Sequence, residues 1–461
     1  MKNSFVLLSM FLLIASCNNE RSVYHLLDQS GKWHGDEQFI RGDGVVSLEG
    51  EYNTWVYQPG GFKTFTNFEL TTEIFTLPGA NASILFHTNE RDLSQGYEVI
   101  IDNSRVGNWD HLLKTGSLKS VRNIHYRMVE DSAWFRLSLK VVENHIFISI
   151  NGHPVVDYIE PEMPFRTTRN EGMTLGAGTF ALRTLFGNTG ISFRNLQVTE
   201  LPAAEKKRND DPEFVRRITE LHTRYFPVVD YHVHEKGDLT LPLLMERSAR
   251  LGINYGVAAN CGLKFPIETD AQLEAYQASI EGLPIFKAMQ AEGREWVDMF
   301  SPVLVKEFDY AFTDAMTWTN NSGTRMRLWI PEETEVGEPH DFMEQLVAQI
   351  EKVVTEPIDI YVNPTYLPVE MAQLYDELWT DDRIDRVVQA LVKNNVALEI
   401  NSRLELPGSK VIARAREAGV KFALGTNNTN SENLGRLEWA LEMVDKHQLQ
   451  PSDMYLPNTE D

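Results

Sequence analysis

Between residues 35 and 200 apolar and polar positions alternate with a period of two, in short runs such as Phe68–Phe75, Gly96–Ile101, Trp134–Val141 and Ile146–Ile150. Residues two apart share a face of a strand, so each run predicts a half-buried strand, and the Gly, Asn and Pro clusters between them predict turns. Asn151-Gly152 is a hairpin signal, because a tight two-residue turn needs two positions that tolerate positive φ. Many short strands without intervening helices predict an all-β sandwich of the jelly-roll kind.

A charged stretch, Ala203–Pro212, breaks this pattern, and beyond it the period changes to 3.6. Seven apolar strand-like runs, near 228–234, 253–261, 285–292, 309–315, 358–363, 396–401 and 421–427, each precede an amphipathic helical stretch. Such alternation requires parallel strands joined by right-handed crossovers, and about 230 residues suffice to close a barrel. The chain therefore divides into a leader (1–17), a jelly roll (22–200), a linker (201–214) and a seven-stranded α/β (βα)7 barrel (215–461). A length of 461 residues fits two cores better than one.

The formal charge of -23 argues against a sequence-independent grip on nucleic acid, which depends on neutralising phosphates with Lys and Arg. Lys2 followed by the apolar run Phe5–Ile14 is too short to span a bilayer and has the form of an export signal. Ile14-Ala-Ser-Cys17 resembles a bacterial lipobox, which implies lipidation at Cys17 and a protein anchored in the cell envelope by lipid alone. Only Cys261 then remains in the mature chain, so no internal disulfide can form.

In a parallel barrel the C-terminal ends of the strands converge on one mouth. Polar residues stand at all seven predicted ends: His232 and His234, Asn260, Glu292 with Glu295, Thr313-Asp314, Asn363, Glu399 with Asn401, and Thr426-Asn-Asn428. His232 and His234 with one acid, Glu292 or Glu295, and Asp314 make a donor set for one zinc or manganese ion, with a position open for water. Such an ion lowers the pKa of its water, leaving Glu292, Asp314 or Glu399 as candidate catalytic carboxylates. Asn363, Asn401, Asn427 and Lys236 are candidate substrate contacts, Lys236 for an anionic group. Arg325 and Trp318, on the long loop 316–338, suit a substrate platform.

Two family resemblances sharpen this reading. The N-terminal half resembles the 3-keto-disaccharide hydrolase-like domains, through Phe68-Glu-Leu, Gly79-Ala-Asn81, Gly96-Tyr-Glu98 with Asp102, Thr115-Gly116, Asn151-Gly152 and Ile191–Asn195. The resemblance implies a concanavalin-like jelly roll that binds or cleaves carbohydrate, with His87, Glu98 and Asp102 as candidates for a polar cleft. The chain departs from that family at Asn81-Ala-Ser83, at His87 in place of Arg, and at Arg183-Thr-Leu185, which puts catalysis there in doubt.

The C-terminal half is similar to the polymerase and histidinol phosphatase superfamily through His232-Val-His234, Gly293-Arg-Glu295, Leu398-Glu-Ile-Asn401, Ala418–Gly425 and Leu434-Gly435. That likeness implies a distorted seven-stranded barrel and metal-dependent hydrolysis of a phosphorylated or related small molecule. Thr426-Asn-Asn-Thr429 replaces the superfamily's Ser-Asp-x-His, and Asp314–Trp318 replaces a histidine. Neutral amides are weak ligands, so at most one metal is expected.

Overall fold

The computed structural model describes residues 22–457, apart from 29–31, 36–39, 43, 60–62 and 106–112. The leader and Cys17 lie outside the described residues.

The N-terminal domain is a jelly-roll-like stack of antiparallel strands in two sheets. The larger sheet runs His153–Ile159, His145–Ile150, Trp134–Val142, Phe68–Thr76, Ile191–Glu200, Val45–Leu48 and Ile40–Gly42, with Val23–His25 also paired to Ile191–Glu200. The smaller runs Trp33–Gly35, Thr54–Tyr57, Thr179–Thr184, Ala82–Thr88 and Tyr97–Ile101. The alternating runs of the sequence are these strands: Trp134–Val142 presents Phe135, Leu137, Leu139 and Val141 to the core and the residues between them outward. Asn151 and Gly152 both take positive φ, 49° and 87°, closing the hairpin at the predicted place. Phe68 stands edge-on to Phe180 at 4.9 Å and to Phe86 at 6.0 Å, tying the two sheets through their centre.

The C-terminal domain closes seven parallel strands into a barrel: Val229–Val233, Asn254–Gly262, Phe286–Glu292, Tyr310–Thr313, Ile360–Tyr361, Ala397–Asn401 and Phe422–Gly425. Each lies where the sequence predicts a strand. Helices occupy the chain between them, the longest being Leu241–Leu251, Asp270–Ile280, Pro339–Val353, Asp381–Asn394 and Ser409–Glu417. Val257, Met289, Ala311, Leu398 and Leu424 belong to one core with helix residues such as Leu244, Leu346 and Leu391. Inside the barrel Tyr231 packs on Phe286 and Tyr310, and its hydroxyl donates to the carbonyl of Tyr455 near the C-terminus.

The jelly roll docks beneath this barrel. Tyr126 meets Phe286 at the start of the third strand, 6.1 Å between ring centres. Asn254, the first residue of the second strand, accepts from His125 N–H at 3.0 Å and donates to Asn123 O at 3.0 Å. Asn123 also donates to His222 O at 2.8 Å, on the helix Pro212–Thr223 that begins inside the stretch read as linker. These groups are buried and partnered, so the junction is a fixed contact. The second strand has nine residues, which places the junction roughly 25 Å from the mouth at the strand's other end.

Candidate active site at the barrel mouth

His232 lies on the first strand and His234 one residue past its end, and their rings stand together, 5.3 Å between centres, as the spacing of two predicts. The pairing of that strand with the second shifts register between Asp230 and Val233. Such an irregularity re-aims side chains, and here both Tyr231 and His232 reach aromatic partners of the interior, His232 lying 4.8 Å from Phe312. Asp230 anchors the strand against the seventh: it accepts from Thr426 Oγ1 at 2.6 Å, Thr426 N at 2.9 Å and His232 N at 3.3 Å. Burial raises its carboxyl to about 6.

Both imidazoles are fully buried and both use Nδ1. His232 Nδ1–H donates to Glu399 Oε1 at 2.7 Å, and His234 Nδ1–H to the carbonyl of Ala258 at 2.9 Å. A carboxylate and a carbonyl only accept, so the proton sits on Nδ1 and each Nε2 presents a lone pair. Among the described residues neither Nε2 nor Glu292 Oε2 has a hydrogen-bond partner of good geometry, although Gln290 stands close enough to act on the His234 ring. Burial, then the nearby Lys236, holds the His234 imidazole well below its ordinary pKa, which keeps the lone pair free. The His232–Glu399 bond passes over Gly425: a Cβ there would stand 2.1 Å from Glu399 Oε1. Only glycine leaves that path open.

A cavity of about 480 Å³ opens at the mouth, with Glu292, Asp314, Asn260, Asn363 and Asn427 on its wall. Glu292 accepts from Asn260 Nδ2 at 2.7 Å, and Asp314 from Asn363 Nδ2 at 2.9 Å. Burial raises both carboxyls, Glu292 further through the neighbouring Asp314. Asn363 Oδ1 in turn accepts from Asn427 at 2.9 Å and Asn401 at 3.2 Å. Asn363 and Asn427 hold left-handed φ of 46° and 45°, as does the β-branched Thr365 at 61°. Asn tolerates the left-handed region, whereas a β-branched residue is strained there, so the strain sits at Thr365, next to Tyr366 of the cavity wall.

Other expected site residues stand elsewhere. Glu295 turns away from the histidines and pairs with Arg325, whose guanidinium also donates to Leu263 O at 3.4 Å; Gly-x-Glu spacing therefore misleads, and Glu292 is the acid of the mouth. Arg325 makes that bridge and does not line the cavity. Trp318 is buried against Phe342, so the aromatic of this loop on the cavity wall is Trp329 instead. Glu399 lies behind His232, both oxygens filled by His232, Asn363 N at 2.6 Å and Asn401 Nδ2 at 3.1 Å, which suits orienting the imidazole better than moving protons. Cys261 belongs to the apolar core against the helices. The sequence reading missed Gln290, Tyr366 and Arg403 on the cavity wall. Gln290 stands two residues before Glu292 on one strand face, a spacing that could have found it.

The jelly-roll candidates are occupied by structure. His87 Nε2 bonds Thr66 O at 3.0 Å and Nδ1 accepts from Gly176 N at 3.2 Å, while burial holds the ring down to about 4. Glu98 binds Ser83 Oγ at 2.7 Å, Lys119 Nζ at 3.0 Å and Arg183 at 3.6 Å. Asp102 accepts from Arg105 N at 3.1 Å beside Lys114 at 3.7 Å, and burial raises it to about 6. The three are spent on separate contacts.

Residues 26–199 match the family described as the 3-keto-alpha-glucoside-1,2-lyase-like domain, and the N-terminal domain is a 3-keto-disaccharide hydrolase-like domain. No curated protein matches the chain. Similar solved structures include a candidate glycosyl hydrolase from Parabacteroides distasonis, 13% identical over 39% of this chain and 94% of its own, TM-score 0.34. A second from the same organism is 18% identical over 39% of this chain and all 100% of its own, TM-score 0.33. The carbohydrate-binding module CBM66 of Bacillus subtilis is 11% identical over 37% and 96%, TM-score 0.27.

Proposed function

We propose that the protein is an exported, lipid-anchored hydrolase of the cell envelope that acts on a carbohydrate or phosphorylated sugar at the barrel mouth, with one divalent metal, while the jelly roll binds glycan. The barrel is taken as a distorted (βα)7 barrel of the polymerase and histidinol phosphatase kind. One observation carries the reading: among the described residues three buried donor atoms, His232 Nε2, His234 Nε2 and Glu292 Oε2, are left without hydrogen-bond partners, Glu292 on the cavity wall and the two histidines buried off its lining. Unpaired buried polar atoms are costly and call for a ligand.

Two imidazoles and a carboxylate are donor types that bind zinc or manganese. Nδ1 bonds to a carboxylate and a carbonyl are the outer contacts that orient metal-binding histidines. Among the described residues no group of three or more His, Cys, Asp or Glu stands close enough together to hold a metal ion, so the proposed set, His232 and His234 with Glu292 or Asp314 as the third donor, would have to close on the ion as it binds. When bound, the metal would lower the pKa of a water and polarise the bond to be cut. Asp314, steadied by Asn363, is the carboxylate placed on the wall to take a proton from water or return it to the leaving group. Glu399 holds the His232 ring. The amides of Asn260 and Asn427 on the wall suit sugar hydroxyls, which both donate and accept, while Asn363 holds Asp314, Asn401 and Asn427 in place.

The competing reading puts glycoside cleavage in the jelly roll, and the family match over residues 26–199 favours it. Metal content of the purified full chain, with hydrolysis of 3-keto-glucosides and sugar phosphates, separates the two. About one metal per chain is expected, lost in His232→Ala together with activity. Metal-free wild type from zinc- and manganese-supplemented buffer sinks the metal site; activity lost in Glu98→Gln but kept in His232→Ala moves catalysis to the jelly roll.

A further inference from the structure

Two cations share the cavity with the acids of the mouth: Lys236, just past the first strand, and Arg403, just past the sixth. The chain has 66 acidic residues against 43 Lys and Arg, so carboxylate partners are plentiful. Most arginines take them, as Arg383 does from Glu344 and Arg414 from Asp385. Lys236 and Arg403 do not: among the described residues neither makes an ion pair. Arg403 uses Nε on the carbonyls of Asn427 at 2.7 Å and Thr426 at 3.3 Å, which pins the guanidinium over the seventh-strand loop and leaves its two terminal nitrogens unbonded. Lys236 has no hydrogen bond at its ammonium among the described residues.

The two charges also oppose each other. Both line the same cavity and stand close enough to repel. Desolvation disfavours the charge of Arg403, with Glu399 and Tyr366 acting the other way. Two like charges facing one partly desolvated space are unfavourable unless an anion sits between them. A guanidinium fixed through Nε offers its remaining N–H groups as a fork, the shape that fits carboxylate or phosphate oxygens.

The rest of the wall defines what carries that anion. Asn260, Gln290 and Asn427 offer both donors and acceptors, and Trp329 and Tyr366 offer ring faces, a combination suited to a polyhydroxylated ring. We infer that the mouth recognises an acidic sugar, whose carboxylate or phosphate is held between Lys236 and Arg403. The inference rests on the mouth being the substrate site, but not on the metal.

Calorimetric titration of the full chain with D-glucuronate, D-glucose 6-phosphate and D-glucose tests it. At least one acidic sugar binds tenfold or more tighter than glucose, and Lys236→Gln and Arg403→Gln each remove most of that advantage, while Lys393→Gln, an exposed cation of the helix Asp381–Asn394 outside the cavity, keeps it. Glucuronate alone preferred identifies a carboxylate substrate; glucose 6-phosphate alone, a phosphate; both, a site for either oxyanion. Equal binding of all three, binding of none, or an advantage that survives both cation variants overturns the inference. Metal-free wild type that still prefers the acidic sugar leaves it standing while the metal reading falls; a metal-loaded, active enzyme without the preference does the reverse.

Discussion

The smaller sheet of the jelly roll and the mouth of the barrel both bury histidines and acids, and they treat them in opposite ways. In the jelly roll His87 has both ring nitrogens bonded to backbone, and Glu98 has a hydroxyl and two cations around its carboxylate. At the interdomain junction His222 is equally complete, accepting from Asn123 N at 3.3 Å and bonding Gly252 O at 2.8 Å. In the mouth His232, His234 and Glu292 each keep one buried atom without a partner. A satisfied polar group stabilises a fold, whereas an unsatisfied one in a native structure calls for an occupant or a chemical role. On the proposed function the first set does structural work and the second holds a ligand, although the sequence offers the same residue types in both.

The largest effect that would break this contrast concerns His87. Replacing it with Ala leaves Thr66 O and Gly176 N unpaired and opens a cavity beside Phe68, whose ring lies 5.5 Å from the imidazole. The expected loss is about 3 to 4 kcal/mol of stability, read as a lower urea midpoint, with metal content at the barrel unchanged. A His87→Ala protein as stable as wild type but unable to bind glycan would make His87 a cleft residue after all.

Acid should act through the same ring. His87 titrates near 4 when folded against an ordinary 6.5, because burial disfavours the imidazolium. The unfolded chain therefore takes up the proton first as pH falls. Its contribution is complete above pH 6.5, declines between 6.5 and 4, and amounts to roughly 3 kcal/mol by the linkage relation. Urea midpoints measured across that window should fall, and in His87→Gln the fall should be shallower. An unchanged slope in the variant would place the acid sensitivity elsewhere.

Much of this architecture is legible in the sequence because it follows from periodicity. Trp134–Val142 shows its alternation plainly, and Asn151-Gly152 names its own turn. The seven barrel strands declare themselves as apolar runs, even Ile360–Tyr361, where only two residues pair as strand. Site geometry is harder to read, since it depends on where a side chain's partners stand. Glu295 and Glu292 are three residues apart in one strand-end loop, yet Arg325, 30 residues on, draws one of them outward. Arg403 and Gln290 look like ordinary polar residues until the barrel closes around them. The register shift that brings Tyr231 and His232 inward together has no sequence signal of its own.

A smaller effect tests the other side of the contrast. Glu292 is 4% exposed, its Oε2 has no partner, and burial together with Asp314 works against its charge. Glu292→Gln keeps the shape and the bond from Asn260, and removes the like-charge opposition with Asp314. Stability should hold or rise by about 1 kcal/mol, the usual sign when a residue kept for function is neutralised, while metal content and hydrolysis are lost. The matching change Glu98→Gln, where Lys119 and Arg183 would lose their carboxylate, should lower stability. If both variants fall together, the mouth is built like the jelly roll, and its unpaired atoms carry no ligand.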